Sequence, residues 1–209
     1  MARTKVNFDS KKQELLASIW QILLKYGYEQ MSISIIIKEL SISRGAFYHY
    51  FESKEECVDS AIIEYVNQSV IALRNMDNYS ECAVVRLQKA IKNGISLFHD
   101  NIEQSKVINK PENAIFHQKL MIAFTKYMSP FYASIIKDGV IGKEFETSFP
   151  LEVAEMLLTL SNFYLDNILF QWEAKSMKNK IKALEELVNK SLGTQKYIAF
   201  FDFITMEVI

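Results

Sequence analysis

The chain has 209 residues, 49% of them hydrophobic, with only three prolines and six glycines and a formal net charge of −1. That is enough apolar material for a large core and too few turn-formers for a strand-rich fold or long disordered linkers, so an all-α protein is expected. The small net charge hides an asymmetry, because residues 1–51 carry +3 and the remainder −4. A basic head on an acidic body suits engagement of DNA through one end, although a difference of this size also arises by chance.

The first helix is predicted over Ser10 to Lys25, with Leu15, Leu16, Ile19, Ile22, Leu23 and Tyr26 on one stripe and Gly27 ending it. Trp20 and Leu24 fall away from that stripe and read either as a contact with a second domain or as a wider core face. Tyr28 and Phe51 are expected to close this small core. Ser32 can N-cap a helix that buries Ile33, Ile36, Ile37 and Leu40. Ser41 must then hold the turn without the tolerance of glycine for positive φ. Ser43 caps a short helix from Arg44 to Tyr50, whose first turn carries Gly45 and Ala46, small enough to let a helix end approach a phosphate or base edge. Ser53-Lys54-Glu55-Glu56 fits a capping box and restarts the chain. Two short helices joined by a tight turn, with a third helix after them, outline a helix-turn-helix DNA reader.

The segments LLASIWQILLKYGY, SISIIIKEL, SRGAFYHYF and SKEE lie at consistent spacing between Lys12 and Ala61. In register, they resemble the amino-terminal domain of the tetracycline-repressor (TetR) family. Two positions depart from that family's pattern: Ile37 stands for a small residue, and Ser41 for the turn glycine. The resemblance implies a DNA-contacting set of Ser32, Ser43, Arg44, Gly45, Ala46, Tyr48, His49 and Lys54. In it, Arg44 reads guanine or clamps a phosphate, Tyr48 and His49 touch the backbone, and Lys54 holds a phosphate with the amides of its helix. Phe47 and Phe51 fall on the core side, and Arg3 and Lys5 form an arm of salt-sensitive affinity.

Beyond a domain boundary at residues 52/53, apolar periodicity predicts longer helices, for about nine or ten in all. Val58, Ala61, Ile62, Tyr65, Val66, Ser69, Val70 and Leu73 mark one that ends at Asp77-Asn78-Tyr79-Ser80. Val84, Leu87, Ile91, Ile95 and Phe98 mark the next. A long helix follows from Glu112 to Lys137, bent at Pro130. The last two run from Leu151 to Trp172 and from Met177 to Leu192. Aromatic residues crowd this body, and at helical spacing they are ordinary core as readily as pocket. The resemblance implies an effector cavity among them, for a small apolar or amphipathic molecule. Phe98, Phe116, Leu120, Phe124, Tyr127, Phe131 and Phe163 are its candidate walls, and His117, Asn162 and Asp166 the polar groups. A buried Asp166 would favour a cationic effector; a solvated or interfacial aspartate is the alternative.

The resemblance further implies a homodimer through the last two helices, with Leu157, Leu165, Leu169, Trp172, Ile181, Leu184, Leu187 and Val188 as interface candidates. Two heads double the contacts and match a near-palindromic operator on double-stranded DNA. The tail YIAFFDFITMEVI from Tyr197 is too short to cross a membrane and too apolar to be left in water, so it is expected to pack on the bundle. The first apolar run follows Lys11-Lys12 and is amphipathic, which predicts no leader, no membrane span and a cytoplasmic location. Cys57 and Cys82 lack C-x-x-C spacing and read as small buried hydrophobes, with a thiol switch as the alternative. His49, His99 and His117 show no metal-ligand spacing, and neither the nucleophile-elbow nor the phosphate-loop glycine motifs occur. No cofactor and no enzyme is expected. The reading is an effector-released repressor. The alternatives are an effector-independent architectural or cell-cycle DNA-binding protein, and a helical enzyme with a vestigial head.

Overall fold

In the computed structural model, which describes residues 2–99, 108 and 110–203, the chain is all-α, and no strand occurs among the described residues. The helices are α1 (Ala2–Gln30), α2 (Ile33–Leu40), α3 (Arg44–Tyr50), α4 (Lys54–Met76), α5 (Ala83–His99), α6 (Ala114–Ile141), α7 (Pro150–Thr159), α8 (Asn167–Phe170) and α9 (Ala174–Leu192). A 3-10 turn at Pro111–Asn113 precedes α6, and a π-helical turn at Leu160–Tyr164 follows α7. The described residues fall into two compact units, one within 1–68 and 102–123, the other within 69–101 and 124–209.

In the first unit the start and stop signals work as their chemistry dictates. The Ser32 and Ser43 hydroxyls accept the N–H groups of Ile35 at 3.3 Å and Ala46 at 3.1 Å. Ser53 accepts the Glu56 N–H at 3.1 Å, while the Glu56 carboxylate reaches back to the Glu52 N–H, so the capping box forms. Ser41 occupies the left-handed region at φ 52°, ψ 40°, where glycine is at home, and its N–H donates to the Lys38 carbonyl at 3.2 Å. The first helix begins earlier than periodicity indicates, and Gly27 breaks it at φ 74°, ψ 166°.

Trp20 does not face outward. It is buried, stacked on Tyr65 at 3.9 Å between centroids and edge-on to Phe116 at 5.5 Å, and since both partners lie beyond the expected boundary at 52/53 the two alternatives coincide: the wider core face is a contact with residues of the expected second domain. Cys57 is buried, and that burial pushes its thiol up to about 12, which disfavours the reactive thiolate. Asn113 is buried against the Gly27 kink, and its side-chain oxygen accepts the Tyr28 N–H at 3.2 Å.

In the second unit Arg86 is the polar centre. Its guanidinium makes two 2.8 Å bonds to Asp77 and one to Asp138. Glu144 accepts the N–H groups of Ala83 at 2.9 Å and Val84 at 3.0 Å and so caps α5. Cys82, expected buried, is exposed at the head of that helix. The tail packs as expected up to Phe203: Phe200 and Phe201 are fully buried, and the buried polar side chains Glu185 and Asn189 of α9 bind the backbone of Phe201 and Ile198. Residues 204–209 lie outside the described part.

The expected single helix from Leu151 to Trp172 is replaced by α7, the π-helical turn and α8. The reason is local chemistry. Asp166 leaves the helical conformation at ψ 105° and accepts the Leu169 N–H at 2.8 Å, starting a new turn that Gln171 ends in the left-handed region. A carboxylate placed to satisfy free N–H groups competes with helix continuation.

Candidate functional site

Helix α3 turns Phe47 and Phe51 inward, both fully buried, and presents Arg44, Gly45, Tyr48 and His49 to the outside, with Tyr48 46% exposed. The inward pair fixes the rotation of the helix, and the rest of the surface follows from it. The Arg44 guanidinium lies over the Tyr48 ring at 5.8 Å and pairs with no carboxylate among the described residues, so its charge is available to a partner. His49 meets Phe8 edge-on at 5.3 Å, which ties the start of α1 to the end of α3.

A Cβ added to Gly45 would find its nearest neighbour at 3.9 Å, in Ser43. Nothing in the fold requires glycine there. Lys54 is half-buried with its ammonium 4.4 Å from the Tyr28 ring centroid, a second task beside the phosphate contact expected of it. Lys25 is engaged by Glu39 at 3.0 Å, so that part of the head's positive charge is neutralised. The side chains of Arg3 and Lys5 lie outside the described part.

The cavity candidates separate. Phe116, His117 and Leu120 belong to the first unit, where Phe116 and Leu120 are core residues. Tyr127 and Phe163 are exposed, Phe131 is buried with Arg74 over its ring at 5.4 Å, and Asp166 is a helix cap rather than a buried charge. The Phe98 side chain is outside the described part. Phe124 and Asn162 do meet, at a narrow recess of about 380 Å³ that includes space open to solvent and is walled by α5, α6 and α7. Its other lining residues are Ile91, Gly94, Ile95, Met128, Tyr132, Leu157, Leu158 and Ser161. Aromatic density alone missed these. The usable signal was Ser161 and Asn162 placed four residues after Leu157 and Leu158, on the same helical face.

The interface candidates also divide. Leu157, Leu165, Leu184 and Val188 are buried within one protomer, so they belong to its own core. Leu169 and Leu187 are about half exposed, and Trp172 and Ile181 are partly covered. Beside them Leu151, Met156 and Phe163 expose apolar surface. Among the described residues no group of three or more metal-ligating side chains occurs, and no helix is long and apolar enough to cross a membrane.

A capped, tightly turned helix pair with an outward face of arginine, glycine and aromatic side chains defines a helix-turn-helix DNA-binding protein. Residues 15–61 match the family model described as bacterial regulatory proteins of the tetR family, and residues 96–187 match the tetracyclin repressor-like C-terminal domain. The chain belongs to the TetR family of transcriptional regulators.

Among curated relatives it is similar to the HTH-type transcriptional repressor DhaR of Mycobacterium sp. strain GP1, at 24% identity over 92% of this chain and 91% of that one. The fatty acid metabolism regulator protein of Bacillus subtilis is 20% identical over 85% and 91%. Of solved structures, a TetR-family regulator from Pectobacterium atrosepticum superposes with a TM-score of 0.65 at 14% identity, over 91% of this chain and 98% of that one. The FadR regulator of Bacillus subtilis in complex with stearoyl-CoA gives 0.58 at 18% identity, over 85% and 97%. At these identities the structural likeness speaks for the fold.

Proposed function

We propose that the protein is a repressor that binds a near-palindromic operator as a two-fold dimer and is released by a small, largely apolar effector. The observation that carries the DNA part is α3, whose core-facing Phe47 and Phe51 leave exposed an arginine that pairs with no carboxylate among the described residues, together with two polar aromatics. That surface fits a major groove. The effector part rests on the recess beside Phe124 and Asn162; one relative supports the repressor reading and another the effector. DhaR is named a repressor, and FadR was solved with stearoyl-CoA. Acting on DNA places the protein in the cytoplasm. No catalytic role is assigned to any residue.

The dimer reading rests on apolar surface that a lone protomer leaves in water: Leu151, Met156, Phe163, Leu169 and Leu187. Leu187→Glu with Met156→Glu should give monomers, whereas Leu184→Glu should unfold the protomer, since Leu184 is buried. A wild-type protein that sediments as a monomer at micromolar concentration refutes the dimer.

The DNA test is titration of the flanking intergenic DNA and of random duplex with Arg44→Ala and Lys54→Ala. Loss of Arg44 should cost about 1–3 kcal/mol and relax base preference, while loss of Lys54 should weaken all sequences alike and lower the salt slope by about one. Equal effects of both substitutions on specific and random DNA overturn the assignment of Arg44. The narrowness of the recess favours a second reading, DNA binding without an effector, which predicts that no small molecule changes operator affinity.

A further inference from the structure

The recess between α5, α6 and α7 has an unusual polar inventory. Among the described residues Tyr132 is the only ionisable side chain on its wall, and full burial pushes that phenol far above its ordinary range, so it stays neutral. Its hydroxyl donates to the Ala90 carbonyl at 2.9 Å, and α5 admits it because Gly94 has no side chain: a Cβ there would lie 2.4 Å from the phenol oxygen. The Ser161 hydroxyl likewise gives its proton to the Leu157 carbonyl, at 2.8 Å. Both hydroxyls therefore offer a guest lone pairs only.

Asn162 differs, because its carboxamide makes no hydrogen bond to any described residue and keeps both its N–H donors and its carbonyl available. A guest ion drawn in past the solvent-open mouth would lose hydration and meet no opposite charge among the described residues. A neutral guest needs only one partner for its polar head, and the carboxamide supplies either sense of hydrogen bond.

We infer that the recess selects an uncharged, mainly apolar molecule bearing a single amide, alcohol or ketone head, and that Asn162 is the residue that selects it. This rests on the effector reading above. Carboxylates and ammonium compounds with the same apolar chain are excluded.

The test uses the full chain with octanamide, octanoate and octylammonium at pH 7, followed by calorimetry and by fluorescence anisotropy of labelled operator DNA. Octanamide should bind at least tenfold tighter than either ion. Asn162→Leu should weaken octanamide by roughly tenfold, in keeping with one lost hydrogen bond. Asn162→Gln, which keeps the carboxamide, should retain most of the affinity. Asn162→Asp should reverse the preference in favour of octylammonium. Thermal melts of the variants establish that each is folded.

Octanoate or octylammonium binding the wild type as tightly as octanamide overturns the inference, and so does a folded Asn162→Leu with unchanged octanamide affinity. If an ion binds best and releases DNA, the effector reading survives and only the selectivity fails. If octanamide binds as stated but leaves operator affinity unchanged, the selectivity stands and the effector reading falls. Binding of none of the three overturns both.

Discussion

Gly27→Ala tests whether the kink at the end of α1 is held by the backbone or merely tolerated. Gly27 sits at φ 74°, ψ 166°, a region essentially closed to residues with a Cβ, and forcing alanine there costs on the order of 1–3 kcal/mol. The added methyl would also lie 2.3 Å from the Asn113 side-chain oxygen, far inside contact distance, so Asn113 must move. That oxygen accepts the buried Tyr28 N–H at 3.2 Å, and stranding the donor costs a further ~1–3 kcal/mol.

The two effects together come to roughly 2–6 kcal/mol, against about 5–15 kcal/mol for a whole domain, so the variant should be severely weakened. Urea unfolding followed by circular dichroism measures it. Asn113→Ala separates the terms: it removes the hydrogen bond to Tyr28 together with the rest of the side chain and opens the space, so adding Gly27→Ala to it should cost only the backbone strain. The double variant should thus be about 1–3 kcal/mol more stable than the sum of the single effects. A Gly27→Ala loss below ~1 kcal/mol, or strict additivity, refutes the reasoning.

Ser41→Gly should raise stability by up to about 1 kcal/mol, since it relieves a left-handed serine at the price of chain entropy; a melting temperature that falls contradicts this. Gly45→Ala should leave the fold as stable or slightly more so, yet weaken operator binding in an anisotropy titration, because among the described residues the added methyl meets only the Ser43 hydroxyl, at 3.9 Å. Arg86→Met should cost about 3–5 kcal/mol in urea unfolding by leaving the buried Asp77 carboxylate uncompensated.

Burial alone would push the Glu144 carboxyl up, but hydrogen bonds from Val84, Ala83 and Cys82 and the nearby Arg86 charge outweigh it and hold the group below 4.5. Its contribution is therefore present above pH 4.5 and lost as pH falls through the lower folded value. Glu144→Gln should flatten the acid limb of stability against pH and leave the neutral region lower; an unchanged limb refutes it.

The head was largely legible because its signals are short-range. A serine hydroxyl three residues before an N–H, or a glutamate three after a serine, acts within one turn whatever the rest of the chain does, and Ser32, Ser43, Ser53 and Glu56 all behave so. Trp20 was ambiguous because its partners Tyr65 and Phe116 are distant in sequence. The break after α7 was missed because the run from Leu151 stays apolar and periodicity does not register a single capping aspartate such as Asp166. The interface candidates were blurred for a related reason: Leu184 and Val188 lie on an apolar face that, in sequence, cannot be told from one facing a second copy. The recess polarity depends on where Tyr132 and Ser161 spend their protons, which sequence does not encode locally.

One helix contributes residues to both units. Along α6, Phe116 and Lys119 belong to the first unit, where Phe116 meets Trp20 and Lys119 pairs with Asp59 at 2.6 Å, while Phe124, Met128 and Tyr132 line the recess of the second. A guest that fits one setting of Phe124 and Tyr132 better than another favours that setting of the helix on which Phe116 and Lys119 sit. The shift it drives is limited by its differential affinity for the two settings. To take the DNA-competent population from 99% to 1% requires about 10⁴-fold preference, roughly 5.5 kcal/mol. Burying a short alkyl chain supplies that at ~0.8 kcal/mol per methylene only if about seven methylenes are covered in one setting and exposed in the other. A guest no longer than a few atoms cannot release the operator fully, so an effector of this recess must be long enough to part α5, α6 and α7 beyond their narrow spacing.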